Sequence, residues 1–392
     1  MNDENKHPGY HPVIVVVAYN RVHSLTRLLQ SLSRAEYTGE VKLIISIDKG
    51  ANNQDVVDIA ESYEWAFGEK EVIYRPENLG LRRHILTCGD LTQEYGAIIL
   101  LEDDLYVSPC FYRFSEEAAN YYSDDERIAG IGLYTNQMNA HANFLPFIPV
   151  EDGSDVFFFQ APCSWGQVWT DKKWKKFRDW YDAGQVITEN DRFQDSVKSW
   201  PETSWLKYHI KYVVEKDLYY VYPRISHTTN FGDSGVHFDK QVNMFQVNLQ
   251  YRKNSYSFQT LELSLAVYDI YYELLPSRLN RMMPQLSEYD YVVDMYGTKN
   301  LSMYKEKYVL THHPVAKAEL SFGMQFRPFV MNVVNQLEGD MISLAKKEHL
   351  LTPNGTAYRP FKYYFGHLQP RPLVNLLKTR LKDRKPFSIF LK

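Results

Sequence analysis

Cysteine is scarce in this chain: Cys88, Cys110 and Cys163 are the only three in 392 residues. An odd, unpatterned set provides neither a disulfide framework nor the paired spacing of a zinc site, and it suits a reducing compartment. Positive charge is not in excess either. The formal net charge is -4, so nothing in the overall balance points to nucleic acid as a partner. No uncharged apolar run approaches the roughly 20 residues needed to span a bilayer. The opening stretch MNDENKHPGYHP is polar and lacks the apolar centre of a secretory leader. Together these absences lead us to expect a cytoplasmic protein, and 44% hydrophobic with 23% charged residues is the balance of a folded one.

Aromatic side chains are plentiful, at 15% with 30 Tyr and 7 Trp. Such rings can stack on sugar faces while their OH and NH groups bond hydroxyls, although most rings in any fold simply pack. The first apolar run, Val13 to Ala18, is β-branched and uninterrupted, as expected of a parallel strand covered on both faces. Ser24 is a plausible N-cap for a helix over Leu25–Leu32, with leucines at 25, 28, 29 and 32. A strand at Val41–Ile47 ends in Asp48-Lys49-Gly50. A helix around Asp55–Phe67, a strand at Glu71–Tyr74 and a helix over Arg82–Glu94 follow, and strand Ala97–Leu101 runs into Glu102-Asp103-Asp104. Strand and helix thus alternate about four times, which predicts a mainly parallel α/β sheet with helices on both faces. Ligands of such sheets bind beyond the carboxyl ends of the strands. Tyr19-Asn20-Arg21, Asp48 and the acidic triplet all fall on that rim.

The triplet is the central chemical signal. An enzyme that releases a nucleoside diphosphate must neutralise growing charge on two phosphates. A hard divalent cation held by carboxylate oxygens does so. Strand alternation sends Glu102 and Asp104 to one side and Asp103 to the other, with one of the two aspartates facing the diphosphate. Acidic triplets are also ordinary solvated turns or helix starts, but here a buried strand presents them. Asp48 would accept hydrogen bonds from a base or a ribose, or merely cap its turn. Arg21, with Asn20 beside it, would reach a phosphate by a charge-assisted bond. Arg82, Arg83 and His84 begin a helix after the Gly80 loop, where a helix N-terminus favours phosphate. His237, in a Gly-Asp-Ser-Gly loop, would complete a cation's shell when that loop closes, although a lone histidine is more often structural. Trp165 and neighbouring rings would form an acceptor platform, with core packing as the ordinary alternative.

The run from Ile98 through Glu102-Asp103-Asp104 to Tyr112 resembles the strand, triplet and following helix of the eukaryotic N-acetylglucosaminyltransferase family that initiates complex N-glycans. It also resembles bacterial family 2-type enzymes that build surface polysaccharide. The likeness takes in Val13–Arg21 and Ile44–Gly50, and resumes weakly at Ser164-Trp-Gly166 and Ile225–His237. It covers about the first 240 residues. The resemblance implies a GT-A (Rossmann-like) fold, an inverting transfer, and a UDP-sugar donor bound with Mn²⁺ or Mg²⁺. It makes Asp104 the direct metal ligand and puts Glu102 and Asp103 on donor sugar and ribose. Asp48 would contact the uracil and Arg21 the nucleotide, and the loop around Gly232–His237 would fold over the donor. Two departures stand out. Tyr19-Asn20 replaces the family's Asp or Cys-Asp before the arginine, and Leu206 falls where its catalytic Asp follows a Trp. An inverting reaction needs a carboxylate near the acceptor hydroxyl, for which Glu202 is the nearest substitute, with Asp195 and Asp191 as further options.

The organisation expected is a nucleotide-sugar-binding half over 1–108, an acceptor-binding half over 109–260 with a closing loop at 230–238, and a C-terminal extension over 261–392. The acceptor side and the C-terminus are expected to add helices. The function expected is transfer of a hexosyl or N-acetylhexosaminyl group to a saccharide or lipid-linked saccharide, in bacterial capsule, O-antigen or exopolysaccharide synthesis. Two alternatives remain at this stage. A sugar nucleotidyltransferase would carry a glycine-rich loop after the first strand, and Tyr19-Asn20-Arg21-Val22-His23 has no glycine. A non-catalytic carbohydrate-binding scaffold is kept open by Leu206. The tail Arg371–Lys392 combines seven Lys or Arg and one Asp with Leu, Phe and Ile, a composition suited to an anionic membrane surface or to an ordinary basic terminal helix.

Overall fold

The computed structural model describes residues 9–233, 243–351 and 359–382. Strand β1 (Val13–Ala18) is buried along its whole length, between β2 (Leu43–Ile47) and β4 (Ala97–Glu102), both parallel to it. Its side chains alternate between two cores. Val13, Val15 and Val17 join Ile44, Ile98 and Leu100 on one face, and Ile14, Val16 and Ala18 join Leu43, Ile45, Ile99 and Leu101 on the other. With both faces covered, no polar position is needed along the strand, which is why the run reads as unbroken.

Helix α1 (Val22–Ser33) crosses the second face and buries Leu25, Leu28, Leu29 and Leu32, each worth about 2 kcal/mol in area removed from water. It begins before Ser24, which is therefore no N-cap; that hydroxyl donates instead to Asp233 at 2.7 Å. Helix α2 (Gln54–Ser62) and the edge strand β3 (Lys70–Tyr74) complete one flank. The single helix expected over 82–94 is two, α3 (Gly80–Asp90) and α4 (Thr92–Tyr95). After β4, strand β5 (Leu105–Val107) and helix α5 (Phe111–Tyr121) lead to β6 (Ile128–Gly132).

A small ribbon of β7 (Met138–Asn139) and β8 (Leu145–Pro146) precedes β9 (Val156–Phe159) and β10 (Gln167–Thr170). Then come α6 (Asp171–Asp182), the short α7 (Asp195–Lys198), α8 (Leu206–Glu215), β11 (Tyr219–Pro223), β12 (Thr228–Asn230) and β13 (Val267–Tyr268). The large sheet has nine strands in the order β13-β9-β11-β6-β10-β4-β1-β2-β3. Its β4-β1-β2-β3 portion is parallel, while β10 runs antiparallel to both neighbours, β4 and β6.

The C-terminal part includes α9 (Pro276–Met282), α10 (Val330–Val334), α11 (Arg359–Phe365) and α12 (Pro370–Lys382). Beside these expected helices it contains a four-stranded sheet that the sequence reading did not anticipate. Strands β14 (Tyr291–Asp294), β15 (Tyr308–Thr311), β16 (Leu320–Phe322) and β17 (Ile342–Lys346) lie in the order β14-β15-β17-β16. Val293, Leu310, Phe322 and Leu344 from this sheet share one apolar cluster with Phe157, Phe159 and Tyr268 of the large one. No described helix is long and apolar enough to cross a membrane.

Candidate functional site

The chain leaves β1 toward β2 on one side and returns, after β3, to β4 on the other side of β1. This reversal is a topological switch point between the carboxyl ends of β1 and β4, the usual position of a ligand crevice in such sheets. Residues 19–21 lie on one bank and 102–104 on the other.

Arg21 bridges the crevice. Its Nη1 donates to Asp104 Oδ2 at 3.0 Å and its Nη2 to Asp103 Oδ1. Burial works against the guanidinium charge, but Asp103 and Asp104 outweigh it and hold Arg21 above its ordinary value. Asp103 is 2% exposed, and its amide donates to Val17 O at 3.1 Å. Burial pushes its carboxyl up to about 6, against the pull of Arg21. Glu102 is pushed to about 8 by burial and then by Asp104. The expectation that Asp103 and Asp104 diverge gives way here to a shared arginine, because the strand ends at Glu102 and alternation ends with it.

Asp48 is buried at the end of β2 and is already engaged. Its Oδ1 accepts from Leu79 N at 2.8 Å and Lys49 N at 2.9 Å, and its Oδ2 from Gly80 N at 2.9 Å. The carboxylate thus occupies amides at the start of α3, where a phosphate was expected. His84 turns inward, buried with Nε2 2.7 Å from Ser46 Oγ, and burial lowers it to about 4. Arg83 points to solvent and pairs with Glu77 at 2.8 Å. Neither side chain joins the crevice. Asn20 is exposed at its edge.

Of the carboxylates considered as base, Asp195 is on the surface, 2.9 Å from Lys198, and Asp191 is tied to Lys211 and Thr188 N. Glu202 reaches back toward the rim. It accepts from Lys207 Nζ and Tyr208 OH, which hold it below its ordinary value, and lies 3.8 Å from Arg82 on the first turn of α3. His237 lies outside the described residues.

Asn53 and Arg27, which the sequence reasoning missed, organise the rim together with Phe231 and Asp233 of the expected closing loop. Asn53 Nδ2 donates to Tyr19 O at 2.6 Å and Asp48 O at 2.9 Å, stapling the ends of β1 and β2. Asp233 is held by Ser24 and Arg27 of α1, and Arg27 lies 3.8 Å over the Phe231 ring. Phe231 N donates to Asp104 O at 3.2 Å, so the chain reaching 233 is fixed directly beside the triplet. An Asn just before a helix and an Asp in a Gly-Asp-Ser-Gly run are weak local signals, and their partners are distant in sequence. Trp165 packs edge-on to Tyr134, with ring centroids 4.6 Å apart, and against Phe245 at 4.8 Å. Gly166 has φ +92°, and a Cβ there would lie 2.8 Å from Thr228 Cγ2, which fixes glycine at this approach of β10 to β4.

Among the described residues, no three His, Cys, Asp or Glu side chains converge as a metal cage. The fit to a cation rests on Asp104: its Oδ1 is buried without a hydrogen-bond partner. A cation of the Mg²⁺ or Mn²⁺ kind takes one or two carboxylates and completes its shell with phosphate oxygens and water. Asp104 fits such a set.

Carboxylates and an arginine thus sit at the switch point of a mainly parallel α/β sheet, the usual ligand position of such domains. Residues 13–157 match the family model Glycosyl transferase family 2, a likeness that covers this stretch of the chain. No curated protein matches the chain. Among solved structures, TarS 1-349 of S. aureus is 14% identical, over 54% of this chain and 60% of that one, with a TM-score of 0.31. GalNAc-T7 with UDP, GalNAc and Mn²⁺ is 12% identical over 57% and 44%, TM-score 0.37. Mannosyltransferase PcManGT from Pyrobaculum calidifontis, with GDP-Man and Mn²⁺, is 10% identical over 48% and 51%, TM-score 0.30. The chain therefore spans about half of these proteins' length.

Proposed function

We propose that the protein is a metal-dependent glycosyltransferase that moves a sugar from a nucleotide-sugar, a UDP-sugar in our reading, to a saccharide or lipid-linked saccharide with inversion. The observation that carries this reading is the unpartnered Asp104 Oδ1 beside Arg21 at the switch point. A bound Mn²⁺ or Mg²⁺ would supply Lewis-acid neutralisation of the departing diphosphate. Asp104 would hold the ion, and Arg21 would keep Asp103 and Asp104 oriented and supply a fixed positive charge next to the phosphates. Glu102, on the same strand end, would face the donor sugar. Asp48 would act through the Leu79–Gly80 turn it holds, with the base of the nucleotide packed over that turn.

Glu202 is the general base of this proposal. Its hydrogen bonds to Lys207 and Tyr208 fix its position and keep it anionic at neutral pH, as proton abstraction requires. Asp195, paired with Lys198 on the surface, is the further candidate for this role. Free buried thiols at Cys88, Cys110 and Cys163 support a cytoplasmic setting, and the resemblance to bacterial enzymes supports a role in surface polysaccharide synthesis.

Melting curves with UDP-, GDP- and TDP-sugars, with and without Mn²⁺, test the donor. One nucleotide class should raise the melting temperature, only with metal, and Asp104→Ala should remove that gain. Stabilisation by no nucleotide-sugar would sink the transferase reading. A carbohydrate-binding scaffold is the second reading, favoured by Leu206 at the opening of α8. Glu202→Gln separates the two: we expect donor binding unchanged and turnover reduced by about 10²–10⁴-fold.

A further inference from the structure

Every described side chain of helix α12 (Pro370–Lys382) is exposed. Leu373, Val374, Leu377 and Leu381 are 43, 46, 60 and 63% exposed. Their spacing puts them on one stripe at the helical period, and proteins rarely leave such a stripe in water without a use for it. Lys378 and Arg371 fall just outside the stripe on the helical wheel. Between 359 and 382 the sequence holds six Lys or Arg and no Asp or Glu, on a chain whose net charge is -4. The preceding helix α11 and the turn after it add exposed Phe361 and Leu368. At 1.5 Å per residue α12 is about 20 Å long, too short to cross a hydrocarbon core of about 30 Å.

We propose that α12 lies in the plane of an anionic lipid surface. Leu373, Val374, Leu377 and Leu381 sink among the upper acyl carbons, and Arg371 and Lys378 meet headgroup phosphates. A basic, acid-free segment on an acidic chain matches that surface, and it would repel a second copy's identical helix. The proposal deepens the transferase reading, since a lipid-linked acceptor would be presented at the same surface. Its test does not use transfer, so the two stand or fall separately.

The test is co-sedimentation of the full chain with vesicles of equal parts phosphatidylglycerol and phosphatidylcholine, beside vesicles of phosphatidylcholine alone. Binding to the mixed vesicles should be about tenfold stronger or more, and weakened by salt. Leu377→Glu/Leu381→Glu and Arg371→Glu/Lys378→Glu should each lose it while melting as the parent does, because all four side chains are exposed. A parent protein that stays in the supernatant overturns the proposal, as do variants that sediment equally well. So does a dimer in sedimentation equilibrium that Leu377→Glu/Leu381→Glu dissolves, which would assign the stripe to a second copy.

Discussion

Arg21 serves two carboxylates at once, and Asp48 serves three amides, so the site is held together by residues that the ligand also needs. For Asp48 the two duties can be told apart. Asp48→Ala strips the acceptor from Leu79 N, Gly80 N and Lys49 N, which should cost about 1–3 kcal/mol of stability. A fall of several degrees in melting temperature without any ligand is the expected result. An unchanged melting temperature with weakened donor binding would instead make Asp48 a ligand residue alone. The triplet, Arg21 and Asp48 were legible in the sequence because each ends a strongly apolar strand, so chain order alone fixes their place on the rim. What each one touches was not legible. The shared grip of Arg21 and the filling of the α3 amides by Asp48 depend on partners tens of residues away. His84 shows the limit most clearly: the sequence places it in a helix's first turn, but only packing decides that this position faces the core.

At the level of elements, packing between helices leaves specific space that pattern does not reveal. Gly89 lies inside α3, where Ala would ordinarily help by up to ~1 kcal/mol. A Cβ there would come within 2.1 Å of the Trp174 ring of α6, and such overpacking costs about 1–3 kcal/mol. The clash should win: Gly89→Ala is expected to lower the midpoint in urea, and a raised midpoint would mean that Trp174 moves freely. The first four strands and α1 were legible because runs of β-branched residues or repeated apolar spacing mark them. The C-terminal sheet was not. Its strands are only three to five residues long, and runs that short carry no usable period. The break between α3 and α4 escaped for a similar reason, since apolar spacing continues across Leu91.

At the scale of the whole molecule, the apolar cluster that joins the two sheets makes the C-terminal part more than an appendage. A chain ending at residue 260 would lose β13 and the small sheet, exposing Phe157 and Phe159, now 0 and 1% exposed. We expect it to aggregate or to show no cooperative melting transition. A soluble monomer with a sharp transition would show that the large sheet folds without its neighbour. The antiparallel strand β10 has a consequence of another kind. It is stitched between β4, which carries the acidic triplet, and β6, which opens the second half of the sheet, and its own start brings Trp165 and Gly166 to the rim. The two halves therefore cannot be traded between relatives like cassettes, because a recombination crossover between 102 and 167 would leave β4 or β6 with a foreign edge. Changes of loop length within 133–155 and 183–194 leave that stitching untouched, since neither stretch contributes a strand to the large sheet.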